Sequence, residues 1–248
     1  MHCRAWMDGQ HMILNTVNQT ILSLCAEVES LSNQPTDWQL LTEEDLLYEV
    51  TICIFGSQMV YEVAVAAATR IRSVGLLRRR MTCSPPPDYE TRALSALSKP
   101  LYVEIDGVRR SVLPRFKNRL ASLLASTVHA IHGRGSSLRD ILLSAKSAQH
   151  ARQSLVDAVW GFGPKQASLF LRRTGYCSEL AVLDTHILEY LKIAQGIEPS
   201  PQTLSRLSSY ERIEAEFQRV ANEFGHAVGC VDLAMWVTMR VAKREAVL

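Results

Sequence analysis

The chain has 248 residues, of which 47% are hydrophobic, 21% charged and 7% aromatic, and this composition excludes collagen-like, low-complexity and intrinsically disordered classes. No apolar run reaches the ~18–20 residues of a membrane span, and the start, MHCRAWMDGQHM, carries an acid and lacks an apolar core, so no secretory signal is expected. The net charge of +2 hides a segregation: residues 1–69 hold 1 Lys/Arg and 9 Asp/Glu, residues 70–173 hold 19 and 6, and residues 174–248 hold 7 and 10, so the basic middle of the chain predicts a face that meets a polyanion.

Ile13, Val17, Ile21, Leu24, Val28 and Leu31 recur at helical spacing and predict a helix over 13–31. Thr42 and Asp45 make a capping-box pattern that opens a helix through Phe55. Gly56 and Ser57 interrupt it. A third helix then runs from about Gln58 to Val74, with Ala64, Ala66, Ala67 and Ala68 suited to close packing. Ser84-Pro85-Pro86-Pro87 predicts a loop, and a short helix near 88–98 stops before Pro100. Residues 101–113, LYVEIDGVRRSVL, alternate like strands, and Asp106-Gly107 suits the turn of a small hairpin. Helices resume at about 115–131, 137–143, 147–160, 164–174, 184–193, 203–224 and 229–243. One hairpin cannot build a sheet protein, so the predicted class is all-α with about ten helices. Cys3, Cys25, Cys53, Cys83, Cys177 and Cys230 are scattered, with no C-x-x-C spacing. They are expected to be reduced thiols, and no iron–sulfur cluster is expected.

The segment 155–191, LVDAVWGFGPKQASLFLRRTGYCSELAVLDTHILEYL, carries the chemistry. One helix ends near Val159, Gly161-Phe162-Gly163 makes a tight turn, and Pro164 starts a second helix, where its missing N–H costs nothing. Glycines let backbone approach a ligand closely. The outward, partly positive N–H groups of the second helix form a phosphate site. Lys165 lies in that helix's first turn. Nineteen residues on, Asp184 follows the apolar run Leu180-Ala181-Val182-Leu183 as a helix N-cap. A glycine turn between helices, a first-turn lysine or a capping aspartate is each common as a purely structural feature; the combination is far more specific.

GFGPKQA followed by LDTHIL resembles the helix-hairpin-helix DNA glycosylase superfamily, in the branch with a lysine in the hairpin and a downstream aspartate. Within that branch, GPKQASLFLRR and LAVLDTHIL are most similar to the compact archaeal and bacterial 8-oxoguanine DNA glycosylases. Phe55-Gly56-Ser57-Gln58 and Leu113-Pro114-Arg115-Phe116-Lys117 are weaker matches, and Trp160 stands where the family usually has proline.

The resemblance implies a bifunctional DNA glycosylase/AP lyase that excises an oxidised base, 8-oxoguanine first. Lys165 would attack the sugar and form a Schiff base, and Asp184 would stabilise positive charge and move protons. Partial burial, the positive helix end and Arg172 or Arg173 are the features expected to favour the neutral amine. Gly161, Phe162, Gly163 and His186 are the implied DNA contacts, and Gln58 the group that fills the gap left by a flipped base. From the basic middle segment, Arg115, Lys117 and Arg119 are the first candidates for phosphate contacts, and helical spacing puts Arg115 and Arg119 on one face with Lys117 pointing elsewhere. Trp236 and Met239 would line the base pocket. A K+ or Na+ ion on the carbonyls of Asp157, Val159 and Phe162 is the one implied ion, and no other cofactor is required. The implied architecture is two-lobed: a central lobe over about 41–160, the hairpin over about 150–174, and a second lobe from 1–40 plus 176–248. The expected partner is duplex DNA with a damaged base, met by a monomer in the cytoplasm, on the nucleoid in a bacterium or archaeon, with no membrane. Two rivals stand beside this: a glycosylase for another modified base, and a non-catalytic DNA-binding hairpin protein.

Overall fold

The capping box is formed as its sequence predicts. The Thr42 hydroxyl accepts from the Asp45 N–H at 3.2 Å, and the Asp45 carboxylate accepts from the Thr42 N–H at 3.0 Å, so two orphan donors of the helix start are satisfied reciprocally. The Thr42 hydroxyl first, and then the Arg72 guanidinium, hold the Asp45 carboxyl below the ordinary range against the opposing effect of burial. The computed structural model in which this is seen describes residues 2–31, 37–105, 107–133 and 135–245.

The described residues form thirteen α-helices, one 3-10 turn (Trp38–Leu40) and one two-stranded sheet. The helices are α1 (His2–Leu31), α2 (Glu43–Gly56), α3 (Tyr61–Ser73), α4 (Arg79–Thr82), α5 (Tyr89–Leu97), α6 (Lys117–His132), α7 (Leu138–Ser144), α8 (Ala148–Ala158), α9 (Pro164–Arg173), α10 (Thr185–Gln195), α11 (Pro201–Ser205), α12 (Leu207–Phe224) and α13 (Val228–Glu245). The class is all-α, with more helices than the ten expected. The surplus is short: α4 has 4 residues and α11 has 5, too few for an apolar period to register. The helix expected over 203–224 breaks at Arg206, whose backbone is extended.

The strands β1 (Leu101–Ile105) and β2 (Val108–Val112) pair antiparallel, with Leu101 opposite Val112 and Ile105 opposite Val108. Gly107 turns them with φ +74°; Asp106 lies outside the described residues. Leu101 and Val103 of β1 are buried and pack the sheet on α3, while β2 is exposed along most of its length.

Two compact units divide the chain. Asp37–Tyr176 is one. Its α2 packs against α3, α6 and α9, α5 packs against α6, and α8 packs against α9. Its interior includes Leu46, Val50, Ile54, Phe55, Leu124, Val128, Leu155 and Phe170. The other unit joins Met1–Thr36 to Cys177–Leu248. There α1 and α10 pack on α13 around a cluster that includes Ile21, Ile187, Leu191, Tyr210, Phe217, Val231, Ala234, Met235 and Met239. No helix among the described residues is long and apolar enough to cross a membrane.

Candidate active site and nucleic-acid interface

In the first unit, α8 ends at Val159 and the chain reverses through Trp160 and Gly161 before α9 begins at Pro164. Gly161 has φ +88°, and a Cβ placed there would lie 3.0 Å from the Leu123 side chain of α6. The left-handed backbone favours glycine here, and a side chain would also have to displace the tip of Leu123. The Trp160 N–H donates to the Thr127 hydroxyl at 3.1 Å, a second tie from the turn to α6. Phe162 is buried and rings with Phe170 at 6.3 Å, so this turn residue anchors the hairpin from within. Arg152 of α8 is 0% exposed and donates to Ser168 of α9 at 3.2 Å across the pair.

Gly163 caps α9 with extended backbone and offers no side chain, and a Cβ added there would meet nothing within 4 Å. The helix thus starts behind an open face with no side-chain cap on its first N–H groups, the arrangement that attracts an anion. Lys165 is the second residue of this helix and is half-buried. Its charge is felt at the fully buried Cys53 thiol of α2: burial pushes that thiol up to about 12, while Arg173 and Lys165 act in the opposite sense. Arg173 is held by Glu49 at 2.6 Å and by the Tyr61 hydroxyl at 2.7 Å. The carbonyls of Asp157, Val159 and Phe162 sit at the end of α8 and in the turn, where helix carbonyls lack intrahelical partners. That of Val159 accepts the Phe162 N–H at 3.1 Å and retains a second lone pair.

The same unit presents the basic loop. The helix expected from residue 115 starts at Lys117, because Phe116 adopts φ +54°, ψ +27°, the left-handed region, which a right-handed helix cannot include. Arg115 therefore lies outside the helix. It does not share a helical face with Arg119, which corrects the expectation drawn from their spacing. Arg115 and Arg119 are exposed, and Lys117 is half-buried at the first helical position. Phe116 is the one non-glycine residue with positive φ among the described residues, and its ring is 60% exposed. In the sequence it stands only as part of a weak motif with no role of its own, its signal being an aromatic residue set between Arg115 and Lys117. Gln58 lies in the turn before α3, half-buried, with its amide donating to Ser57 at 3.4 Å.

In the second unit, Asp184 caps α10. Its Oδ1 accepts from the N–H of His186 at 2.8 Å and of Ile187 at 3.0 Å. The buried strand-like segment before it is fixed from behind. The Ala181 N–H donates to Glu214 at 2.9 Å, the Val182 N–H to Asp232 at 2.6 Å, and the Leu183 N–H to the Tyr210 hydroxyl at 2.9 Å. Tyr210 in turn donates to the Ala181 carbonyl at 2.9 Å. Glu214 and Asp232 are 4% and 1% exposed, and they satisfy backbone donors that no regular element would. The sequence signal for them was an acid placed on the apolar face of each helix. Beyond the cap, the His186 ring meets Trp236 edge-on at 6.1 Å, and the Arg240 guanidinium lies 4.9 Å above the Trp236 ring. Trp236 is half-buried, whereas Met239, at 7% exposure, belongs to the apolar cluster of this unit.

The family model for 8-oxoguanine DNA glycosylase matches residues 93–226. The 8-oxoguanine DNA glycosylase/AP lyase of Saccharolobus solfataricus is 31% identical over 152 residues, covering 58% of this chain and 70% of that protein. Those of Korarchaeum cryptofilum and Methanocaldococcus jannaschii are each 36% identical, over 99 and 103 residues, and these alignments span 46% and 49% of the relatives' lengths. Among solved structures, the 8-oxoguanine DNA glycosylases of Methanocaldococcus jannaschii and Thermotoga maritima each superpose with a TM-score of 0.66, at 22% and 21% identity. These superpositions cover 91% and 92% of this chain and 92% and 95% of theirs. The Methanocaldococcus jannaschii enzyme in complex with a 15mer DNA containing 8-oxoguanine superposes with a TM-score of 0.61 at 22% identity, over 86% of this chain and 95% of that one. The chain belongs to the 8-oxoguanine DNA glycosylase family of helix-hairpin-helix proteins.

Proposed function

We propose that the chain is a bifunctional DNA glycosylase and AP lyase that removes 8-oxoguanine from duplex DNA, acting as a monomer. The observation that carries this reading is Lys165, half-buried at the second position of a helix whose start has no side-chain cap and stands behind a glycine turn. The α9 N-terminus holds a backbone phosphate, which brings the sugar to the amine. A monovalent cation on the Asp157, Val159 and Phe162 carbonyls would reinforce that grip by adding positive charge beside the phosphate. Phe116, with Gln58 beside it in role, fills the space left by the extruded base. Arg115, Lys117 and Arg119 neutralise phosphates. Trp236 stacks on the flipped base.

The chemistry follows from the residue types. The neutral Lys165 amine attacks C1′, and the N-glycosidic bond breaks with its electron pair leaving on the base, which takes up a proton. The carboxylate of Asp184 stabilises the positive charge that develops on the sugar. The sugar ring opens, the amine loses a proton, and a Schiff base forms between Lys165 and C1′. Loss of a proton from C2′ then expels the 3′-phosphate by β-elimination, with Asp184 helping to move protons.

Borohydride reduction tests this. The wild-type chain is expected to form a covalent complex with a duplex carrying 8-oxoguanine, and Lys165→Gln to lose both trapping and strand cleavage while still binding DNA. Trapping of Lys165→Gln on abasic DNA at the wild-type rate would assign the nucleophile to another amine. Single-turnover excision on matched duplexes with 8-oxoguanine, thymine glycol, uracil or guanine tests the substrate, and preference for thymine glycol would overturn 8-oxoguanine without touching the role of Lys165.

A further inference from the structure

In the unit formed by Met1–Thr36 and Cys177–Leu248, four metal-ligating side chains converge where α1 meets the start of α13. Cys25 and Glu29 are one helical turn apart on α1. His226 and Cys230 are four residues apart across the start of α13. Glu29 Oε1 and His226 Nδ1 lie 2.7 Å apart, and one ligand atom from each of Glu29, His226 and Cys230 falls within 4.8 Å of the other two. Cys230 Sγ donates to the Cys25 carbonyl at 3.3 Å, and the two thiols lie near enough to act on each other electrostatically. Both cysteines are free and buried, whereas Glu29 is exposed and His226 half-buried, so the cluster opens to solvent on its carboxylate side.

We propose that Cys25, Glu29, His226 and Cys230 form a structural Zn²⁺ site that ties the N-terminal helix to the last helix. Two thiols, one imidazole and one carboxylate are a donor set that suits a borderline-soft, tetrahedral ion. Zinc–ligand bonds of ~2.0–2.3 Å place the donor atoms of a tetrahedral site about 3.5 Å apart. The donors of Glu29, His226 and Cys230, already within 4.8 Å of one another, close to that spacing by side-chain rotation, and Cys25, whose carbonyl accepts from Cys230 Sγ at 3.3 Å, supplies the fourth. The ion takes the place of the proton shared by Glu29 and His226 and of the thiol protons of the two cysteines, which leave to solvent. Cys25 and Glu29, one turn apart on α1, and Cys230 in the first turn of α13, with His226 in the turn two residues before that helix, frame such an ion between two packed helices, whereas an ordinary surface hydrogen bond between Glu29 and His226 needs no thiols beneath it. The inference does not depend on the glycosylase reading.

The experiment uses the full chain, reduced and stripped of metal by a chelator, then titrated with Co²⁺ and back-titrated with Zn²⁺. One equivalent of Co²⁺ is expected to give a thiolate-to-cobalt charge-transfer band with the intense d–d absorption of tetrahedral geometry, and Zn²⁺ to bleach both. The charge-transfer band is expected to weaken in Cys25→Ser and in Cys230→Ser. His226→Gln and Glu29→Gln, at sites open to water, keep the helical circular dichroism and are expected to bind Co²⁺ at least about tenfold more weakly, since even outer-shell changes cost that much. Zn²⁺ is expected to raise the melting temperature of the wild type and not of His226→Gln. Absence of a thiolate band in the wild type at one equivalent overturns the site. So does a band that persists unchanged in both cysteine variants, which would move the metal to other cysteines, or a His226→Gln variant that binds as the wild type does.

Discussion

Asp184→Asn separates the helix cap that Asp184 forms from the catalytic role proposed for it. Asp184 Oδ1 accepts the N–H groups of His186 and Ile187 at 2.8 and 3.0 Å. Asparagine keeps an oxygen at that place and caps helices as well as aspartate does, so both bonds persist. What disappears is a negative charge at the start of an 11-residue helix. Its interaction with the helix dipole is worth ~0.3–1 kcal/mol. In a chain of this length 1 kcal/mol corresponds to a melting shift of ~2–4 °C, so the asparagine variant should melt no more than ~4 °C below the wild type. Asp184→Ala also removes the cap, a further loss of ~0.5–2 kcal/mol. Base excision should respond differently. Loss of the charge that meets the developing positive sugar is expected to slow it roughly 10²-fold or more, equivalent to at least ~2.7 kcal/mol of barrier. The asparagine variant should thus be nearly as stable as the wild type and nearly as inactive as the alanine variant. Single-turnover excision on an 8-oxoguanine duplex, paired with thermal melts, reads both quantities. Wild-type excision by Asp184→Asn would remove the residue from the chemistry. A large melting loss in Asp184→Asn, with activity that merely follows the folded fraction, would reduce it to a cap.

Other residues carry predictions of their own. Asp232→Ala leaves the Val182 N–H buried without its acceptor, which is expected to destabilise the chain by ~1–3 kcal/mol and to slow excision by loosening the segment that ends at Asp184; excision at the wild-type rate per folded molecule would show that Asp184 is positioned by its own cap alone. Arg115→Ala and Arg119→Ala are each expected to weaken binding to all duplexes alike and to lower the slope of log K against log salt by about 1, measured by fluorescence anisotropy. An unchanged slope would make that residue a solvated surface charge. Phe116→Ala is expected to leave the salt slope intact and to slow single-turnover excision from paired duplex far more than from single-stranded DNA, where no gap need be filled; equal effects on the two substrates would take Phe116 out of the extrusion step.

Much of the local structure was legible because its determinants are local. Thr42 with Asp45, Gly161 with Pro164, and Asp184 before Thr185 each specify a helix start from a few consecutive residues, and each start forms. The strand pair was equally local, since alternation over Leu101–Val112 needs only its own turn. What escaped was set by distant partners or by a single dihedral. Glu214 and Asp232 look like solvated acids within helices, and only the return of residues 181–182 against them shows why they are buried. Both nevertheless sit at positions that helical periodicity assigns to the apolar face, between Tyr210 and Phe217 and between Val231 and Ala234, and an acid there has to be paired. Phe116 escaped because no propensity assigns the left-handed region to phenylalanine. Spacing alone then placed Arg115 on a helix that begins two residues later.

Those two non-helical joints, at Gly161 and Phe116, act on the same helix. The hairpin turn leans on α6 at Leu123 and Thr127, through the close approach of Gly161 and the Trp160 hydrogen bond. Phe116 stands at the start of α6. Seven to eleven residues at ~1.5 Å rise separate the two, about 10–16 Å along a rigid helix. Along a nucleic-acid strand that distance corresponds to roughly three to five nucleotides at ~3.4 Å each. A non-glycine residue in the left-handed region costs on the order of 1–3 kcal/mol and persists only where its surroundings fix it. Here it turns an apolar ring outward between two cations, a fixed length of helix from the point where the hairpin turn meets α6. In the proposed function α6 is therefore a spacer: it fixes how far along the strand the gap-filling ring stands from the phosphate held at the hairpin, and so which nucleotide is carried to Lys165.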